Sequence, residues 1–440
     1  MARPEEVPLR PSESPPVPAP AAPPIAPAPA APPIAKETPA TPPAWPLAIT
    51  PFSPTRLRAR WAVTRPALDG DADGDGELHV RAAPGSTYIV ACRKSAVLVK
   101  RIDARGRLAW SKRISGPCAT ISDGNVRPIA ATPDGVVVAL PAIGDGPGVR
   151  VLRLDTEGKI AWERSIRGAM RDLETAATRG RITICFDDKS SISFEGQTIP
   201  ASHGNRIALE LDDHGTHVGT YVAPASRCTY DEEHHLWMSD WASADRVTGE
   251  PRHIVLPQTN VDGWTPFEAG WVVRKKGSFV FIDHDGTSVW RVEWPTDDRD
   301  CLLTPTPIAA TAQRLLAGLY LSCRPGAKTH FGDVAIRSPR SDDIIRRMIV
   351  FDMDATVMRT RAQFELEHPP EQMNHSMQFV PSADGVLAYG RFSGPLGLGS
   401  TIVSGPPVDE DYDRLPSCAG GPGSRKTYPP WPVVVSFPVR

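Results

Sequence analysis

The segment Leu154-Asp-Thr-Glu-Gly-Lys-Ile-Ala-Trp162 decides the fold of this sequence. The run Val149-Arg-Val-Leu-Arg-Leu154 leads into it, and apolar residues alternating with polar ones are typical of a β-strand. Asp155 is able to accept hydrogen bonds from the backbone of a turn, and Gly158 is able to take a positive φ, so the chain reverses there. The segment therefore predicts a β-hairpin with a tryptophan on its second strand.

The same hairpin recurs along the chain. Its signature is an Asp-x-x-Gly turn with a tryptophan four residues after the glycine. A ring of this size at a fixed place on a strand packs between neighbouring sheets, which makes it a core residue and not part of a cofactor site. Full copies are Asp103–Trp110, Asp155–Trp162 and Asp283–Trp290; degenerate copies are Asp212–Gly219, Asp352–Arg359 and, with one extra residue, Asp245–His253.

A second repeated element precedes several of these hairpins. Pro128-Ile-Ala-Ala-Thr132 stands before the apolar run 135–140, and Pro307-Ile-Ala-Ala-Thr311 stands before the run 315–319. Two hairpins make four strands, which is the content of one propeller blade, and blades recur with a period of about 40–50 residues. The sequence therefore predicts an all-β chain built from propeller blades.

The two ends of the chain complete the predicted ring. Six turns define six outer hairpins, and the run Val433–Val439 is a strand with no following partner. The segment Leu57–Val63 resembles residues 107–112, with Trp61 in the matching slot. We therefore predict a seven-bladed β-propeller closed by pairing of the N-terminal strand with the C-terminal blade, which removes exposed sheet edges.

Residues 1–54 have a different composition from the rest of the chain. They hold 19 of the 48 prolines and 12 alanines. Proline removes backbone donors and favours extended polyproline II conformers, so this stretch predicts a disordered Pro/Ala-rich tether ahead of a propeller at 55–440. The first residues lack the basic start and apolar stretch of a secretory signal, so no export signal is visible.

The units resemble the PQQ-like β-propeller repeat, whose hallmark is a strand, an Asp-x-x-(Thr)-Gly-Lys-like turn and a tryptophan. The copies 154–162 and Asp245–Glu250 carry the resemblance, which covers about residues 56–440. The segment Phe392–Gly399 is similar to Gly-rich segments of bacterial surface propellers. The family includes quinoprotein dehydrogenases and non-catalytic scaffolds, among them the outer-membrane assembly lipoprotein. The resemblance implies the scaffold branch, because three of seven aromatic slots are lost, and an extracytoplasmic or cell-envelope location.

Charge and composition exclude some classes of partner. The 49 basic and 51 acidic side chains give a net charge of −2, which argues against a general electrostatic hold on nucleic acid or anionic lipid. The sequence has no run of about 18 apolar residues, so it predicts no transmembrane helix. The seven cysteines have no zinc-like spacing. At this low density of cysteine, buried single thiols are the default expectation; if disulfides form, strand geometry favours Cys301 with Cys323.

The acidic segment 69–77 has the pattern of a calcium loop. Alternate carboxylates point their oxygens at one centre, and Gly74 permits a sharp turn. The segment departs from an EF-hand because Val80 stands at the twelfth position and no helix flanks it. An acidic turn without an ion is the alternative. The predicted calcium ligands are Asp69, Asp71, Asp73, Asp75 and Glu77.

Other polar clusters are weaker candidates for a site. Adjacent His234 and His235 would point to opposite faces of a strand, so the segment 231–235 predicts a polar strand start and not a metal site. His214 and His217 flank a predicted turn. The long loop 409–431, rich in acidic residues, glycine and proline, is expected to be either a solvated insertion or a partner-binding finger.

These observations favour a non-catalytic scaffold that binds a protein or carbohydrate partner, as a monomeric domain on a tether. Propellers bind through loops at one end of the central channel. No catalytic residue is assigned, and calcium is the single cofactor considered. The alternative is an enzyme at the channel mouth, either a divergent quinoprotein-like oxidoreductase or a hydrolase. The calcium ligands and catalytic aspartate that the resemblance implies for a quinoprotein have no identified counterparts in this sequence.

Overall fold

The structure is a computed structural model of the 440-residue chain. The chain divides into two units, Met1–Leu47 and Ala48–Arg440, and everything described below lies in the second unit. The residues described are 55–56, 60–63, 78–92, 96–116, 128–141, 147–188, 190–202, 204–240, 242–257, 261–296, 299–337, 345–355, 357, 359–366, 378–382, 385–392, 396–398, 401–403 and 431–438.

All the regular secondary structure in these residues is β, and none of it is helical. Strands are numbered β1 to β35 in chain order, and seven sheets of the described residues contain four strands or more. The first sheet comprises β3 (Leu78–Ala83), β4 (Ser86–Cys92), β5 (Ala96–Asp103) and β6 (Leu108–Ser115); the second, β7 (Ile129–Thr132), β8 (Gly135–Pro141), β9 (Gly148–Asp155) and β10 (Ile160–Arg167); the third, β11 (Met170–Thr178), β12 (Arg181–Asp188), β15 (Arg206–Asp212) and β16 (His217–Ala223).

The remaining sheets repeat this antiparallel order of four strands. The fourth sheet comprises β17 (Arg227–Tyr230), β18 (Leu236–Ser239), β19 (Ser243–Arg246) and β20 (Arg252–Val255); the fifth, β21 (Val261–Phe267), β22 (Gly270–Lys275), β23 (Ser278–Asp283) and β24 (Ser288–Glu293); the sixth, β25 (Cys301–Ala310), β26 (Arg314–Cys323), β29 (Ile345–Asp354) and β30 (Arg359–Leu366); the seventh, β31 (Gln378–Ser382), β32 (Gly385–Phe392), β35 (Trp431–Pro438) and β2 (Trp61–Val63).

Short strands extend or interrupt this pattern. The hairpin β13 (Ile192–Phe194) and β14 (Gln197–Ile199) leaves the third sheet and pairs with β10 of the second. β1 (Thr55–Arg56) adds a parallel strand beside β30. Two further hairpins are inserted, β27 (Lys328–Phe331) with β28 (Val334–Arg337) in the sixth sheet and β33 (Leu396–Leu398) with β34 (Thr401–Val403) in the seventh.

Successive sheets contact one another through their first strands. The strands β3, β7, β11, β17, β21, β25 and β31 contact each other in that order, and β31 also contacts β3. Sheets of four antiparallel strands that follow one another in this way have the arrangement of β-propeller blades. At the ends of the chain, β2 pairs antiparallel with β35, with Trp61 opposite Ser436, and the Arg60 backbone N–H donates a 2.8 Å hydrogen bond to the Ser436 carbonyl.

The apolar core lies between neighbouring sheets. The middle strands are buried on both faces, so β8 and β15 are apolar along most of their length. The outer strands alternate: in β10, Trp162 and Ile166 are buried while their neighbours are exposed. The apolar runs 135–140 and 315–319, which precede predicted turns, lie in β8 and β26. In the residues described, no helix has the length and apolar character needed to cross a membrane.

Candidate functional site

The two ends of each sheet differ in how its strands are joined. At one end, here called the turn edge, the first strand joins the second and, in the first six sheets, the third joins the fourth, through five residues or fewer. At the other end, the connection edge, the second strand joins the third and each sheet joins the next. All the long connections leave from the connection edge, including 64–77, 116–128, 189–205, 324–344, 367–377 and 393–430.

The predicted Asp-x-x-Gly turns form the turn edge. The Asp155 carboxylate accepts hydrogen bonds from the backbone N–H groups of Glu157 and Lys159, at 2.8 and 2.9 Å. Gly158 follows with a φ of +81°. Asp103, Asp212 and Asp283 each accept the same two backbone bonds. The predicted turn chemistry is confirmed in these four copies.

The repeated tryptophan connects one sheet to the next. The Trp110 indole N–H donates a 2.8 Å hydrogen bond to the carbonyl of Thr156, and a Cβ on Gly158 would lie 2.8 Å from the Trp110 ring. Trp162 repeats this contact one sheet further on, with the Asp213 carbonyl and Gly215. The prediction that these tryptophans pack between neighbouring sheets is confirmed.

Two degenerate copies differ from the prediction. Asp352 lies inside β29 and binds the Arg314 guanidinium at 2.7 and 3.1 Å, so the turn into β30 begins two residues later, at Asp354. In the third sheet, the slot that lacks its tryptophan is occupied by the hydroxyl of Tyr221, which would lie 2.7 Å from a Cβ on Gly219.

The prediction of a polar strand start at 231–235 is wrong. Residues 231–235 form a turn, in which the Asp231 carboxylate accepts from the backbone N–H groups of Glu233 and His235 at 3.0 and 2.8 Å. His234 takes the place of the turn glycine with a φ of +67°. The segment is thus another copy of the repeated turn, and its histidine in the glycine position concealed it.

A half-buried histidine lies beside this turn. The His284 ring stacks on Trp237 with centroids 4.9 Å apart and meets Trp271 edge-on at 5.0 Å. Burial lowers the pKa of His284, although nearby carboxylates, Asp231 first among them, act in the opposite direction. Burial acts to raise the pKa of Asp231, but hydrogen bonds from the Trp237 indole and the His235 backbone outweigh it and hold that pKa below its usual value.

A buried group of charges occupies the connection edge where the third and fourth sheets meet. Arg206, 2% exposed, donates to the Asp187 carboxylate at 3.0 Å and lies 3.5 Å from the Glu174 carboxylate. Arg227 approaches the same Glu174 carboxylate at 3.5 Å, and the Cys228 backbone N–H donates to it at 3.0 Å. Glu174 therefore joins two arginines from neighbouring sheets. Because Glu174 and Arg206 are buried, their pairing is what makes their burial tolerable.

A bulge brings a third carboxyl group into this charge cluster. Asp172 has a φ of +47° at an irregularity between β11 and β12, and its carbonyl accepts a 2.7 Å hydrogen bond from Arg206. Burial raises the pKa of Asp187; Arg206 opposes that shift, and a hydrogen bond with the Asp172 carboxyl adds to it. Backbone strain next to a carboxyl group with a raised pKa is a combination found at functional sites.

Two disulfides reinforce the connection edge. Cys185 and Cys228 join the third and fourth sheets beside Glu174. Cys301 and Cys323 stand directly opposite one another on β25 and β26, so the pairing favoured by the sequence is confirmed. The Cys185–Cys228 pair was not predicted, because its partners belong to different sheets and no local strand geometry relates them.

A cleft of about 490 Å³ opens at the connection edge between the fifth and sixth sheets. Its walls come from the ends of β22 and β24 on one side and from β25 and β26 on the other. The Cys301–Cys323 disulfide and the Trp294 ring contribute to its lining. Its charged lining side chains are Asp262, Arg274, Lys276, Arg299, Asp300 and Arg324.

The calcium site predicted from the sequence falls on residues 69–77, which lie outside the described residues, as do residues 409–430 of the predicted long loop. In the part of the chain that is described, no three His, Cys, Asp or Glu side chains are grouped to hold a metal ion. The charge cluster and the cleft were not found from the sequence. Charged residues within otherwise apolar strands, such as Glu174 and Arg206, were the available signal.

Comparisons with known proteins assign this sequence to no family. No family model matches the chain, and no curated protein matches it. Among solved structures, dihydro-heme d1 dehydrogenase NirN, in complex with DHE, is 12% identical with a TM-score of 0.35, covering 81% of this chain and 80% of that one.

Two further solved structures are similar at the same level. The Dos1 propeller is 9% identical with a TM-score of 0.33, over 74% of this chain and 76% of that one. An acylaminoacyl peptidase of Pyrococcus horikoshii is 10% identical with a TM-score of 0.35; the match covers 72% of this chain and 58% of the peptidase, less than two thirds of its length. Identities this low assign no activity to the chain.

Proposed function

We propose that the protein is a seven-bladed β-propeller that acts as a non-catalytic scaffold and binds a protein or carbohydrate partner through its connection edge. In this proposal residues 55–440 form the propeller, closed by β2 on the seventh sheet, and residues 1–54 are a tether at the cell envelope. The contacts among the first strands and the pairing of Trp61 with Ser436 support the closure.

The observation that carries the binding proposal is the contrast between the two edges. One edge consists of tight turns. In these turns an aspartate binds the backbone and a carbonyl accepts a hydrogen bond from a tryptophan of the preceding sheet, so the sequence of this edge has little freedom to vary. The cleft and the charge cluster lie at the other edge, where the strands that flank the long connections begin and end. Binding residues concentrate on loops that a rigid scaffold positions.

Loop replacements between strands at the connection edge, compared with substitutions on the turn edge, test this proposal. The immobilised full chain is used to capture ligands from cell-envelope extracts and from a glycan array, and the affinity of each captured ligand is measured. Replacing residues 117–127 or 367–377 by Gly/Ser of equal length should weaken binding at least about tenfold, a loss typical of removed contact residues. The control variant Arg105→Ser/Glu157→Ser, on the turn edge, should bind as the parent does; loss of binding in the control alone contradicts the proposal.

A second candidate function, a hydrolase, is favoured by one observation. The carboxyl groups of Asp172 and Asp187 share a hydrogen bond, and burial raises the pKa of Asp187, which is the direction of shift that a general acid requires. Turnover of chromogenic glycoside or peptide substrates that disappears in Asp187→Asn, with the unfolding midpoint retained, would support this candidate. Equal turnover in parent and variant would remove it.

A further inference from the structure

The cleft between the fifth and sixth sheets holds cations that the protein leaves weakly paired. Arg299 makes no hydrogen bond or ion pair with any described residue. Arg274 donates a single bond of 3.5 Å to the Asp262 carbonyl, and Arg324 lies 3.5 Å from the Asp300 carboxylate. Elsewhere on the sixth sheet, by contrast, an arginine binds its carboxylate through two bonds of 2.7 and 3.1 Å. Guanidinium groups bind carboxylates best in such paired geometry, so the cleft retains capacity for an anion.

The same cleft has an apolar wall. Leu302 is 62% exposed beside it, and Leu303 and Pro305 line it. A ligand that satisfies both walls carries carboxylates next to apolar side chains. The volume of about 490 Å³ lies in the range of sites that bury small ligands or a few residues of a peptide.

The aromatic side chain in the cleft decides between two kinds of acidic ligand. A sugar ring is best held against the open face of an aromatic ring. The Trp294 ring is 9% exposed, because it stacks on Phe331 and meets Phe279 edge-on. It therefore offers no free face, and the lining favours a peptide over an acidic glycan.

We propose that this cleft binds an acidic peptide segment of a protein partner, with Arg274, Arg299 and Arg324 receiving its carboxylates and Leu302 contacting its apolar side chains. This inference rests on the proposed function, since it names the class of partner bound at the connection edge.

The test is fluorescence anisotropy with the full chain and a labelled heptapeptide, Glu-Leu-Glu-Pro-Glu-Leu-Glu. We expect saturable binding that weakens at least about tenfold in Arg274→Gln/Arg324→Gln and again in Arg299→Gln, since each removes a charge-assisted bond. The control is Arg291→Gln on the outer strand β24, where Arg291 pairs with Glu293 at 2.8 Å. It makes the same change of charge outside the cleft and should bind as the parent does. Unfolding midpoints verify that each variant is folded.

Three outcomes overturn the inference. The first is equal binding of a peptide with glutamine in place of glutamate, and the second is an Arg291→Gln effect as large as that of the cleft variants. The third is binding of trigalacturonate without binding of the peptide. If the peptide fails while the loop replacements still abolish capture of a partner, this inference falls and the proposed function stands. If neither the peptide nor any captured partner binds the full chain, the proposed function falls together with this inference.

Discussion

The indole nitrogen of Trp162 lies 2.8 Å from the carbonyl oxygen of Asp213, a residue of the next sheet. The same carbonyl accepts a bond from Arg153, and in the preceding pair of sheets the Thr156 carbonyl accepts from both Trp110 and Arg101. Each of these turns therefore has two functions. It reverses its own chain, and its exposed carbonyl is the acceptor for the sheet before it. The repeated motif thus encodes contacts between sheets as well as hairpins.

Substitution of Gly158 should separate two losses of stability, one from crowding against the Trp110 ring and one from backbone strain. Gly158→Ala places a methyl group 2.8 Å from the Trp110 ring, at a φ of +81°. Gly196→Ala is the control, because Gly196 has a φ of +82° and open space around it. Both variants lose about 1–2 kcal/mol from the left-handed backbone, and Gly158→Ala should lose about 1–3 kcal/mol more from overpacking. Urea unfolding measures both; equal losses would show that the Trp110 contact is not tight.

Removal of the buried carboxylate should be costly. Glu174→Gln leaves Arg206 and Arg227 without their shared anion, and we expect a loss of about 3–5 kcal/mol in the free energy of unfolding. Glu163→Gln is the matched control, since Glu163 pairs with Arg150 at 2.7 Å on the surface and should cost at most about 1 kcal/mol. Similar losses in both variants would contradict the importance assigned to the buried charge cluster.

The stability of the fold should depend on pH through His284. Its pKa in the folded chain lies below the unfolded value of about 6.5, so the unfolded state binds more protons below that pH. The stabilisation is therefore present above about pH 6.5 and is lost as the pH falls towards the depressed folded value, by up to about 1.4 kcal/mol per pH unit. His284→Phe keeps the stack on Trp237 and should flatten unfolding free energies between pH 7 and 5. His214→Gln should not, and an unchanged slope in His284→Phe would exclude His284 as the cause.

Truncations should locate the contribution of the N-terminal strand. Deleting residues 1–50 should leave the melting temperature unchanged, because no strand of the described sheets begins before Thr55. Deleting residues 1–64 removes β2 and its pairing with β35, and should lower the Tm by about 5 °C or more, since each kcal/mol moves the Tm by roughly 2 °C in a large domain. Equal melting temperatures for the two truncations would refute closure by this strand.

The calcium prediction for residues 69–77 is tested by thermal unfolding in calcium and in chelator. An ion that binds only the folded state adds about 2.7 kcal/mol to the free energy of unfolding at a hundredfold excess over Kd. The Tm rises as a result. Asp71→Ala/Asp73→Ala should melt alike in both conditions. If the parent chain also shows no response to calcium, the segment is an acidic turn.

The repeated turn could be read from the sequence because its chemistry is local. Asp155 bonds N–H groups two and four residues ahead, and Gly158 supplies the positive φ three residues on, so all the participants stand next to one another in the chain. The alternation of apolar and polar residues in 149–154 identified a strand in the same way. The copy at Asp231 was missed because His234 takes the glycine position, where a side chain rarely adopts a positive φ.

The acceptors of the tryptophans, the buried charges and the cleft were decided by tertiary structure alone. Trp162 meets a carbonyl 51 residues away, and Glu174 meets the backbone of Cys228 54 residues away. Any carbonyl has the same capacity to accept, so nothing in the local sequence distinguishes the one that is used. Likewise, the arginines of the cleft come from separate sheets and look like ordinary surface charges until packing of the two sheets brings them together. Local hydrogen bonding therefore determined the hairpins, and the placement of one sheet against the next determined the candidate site.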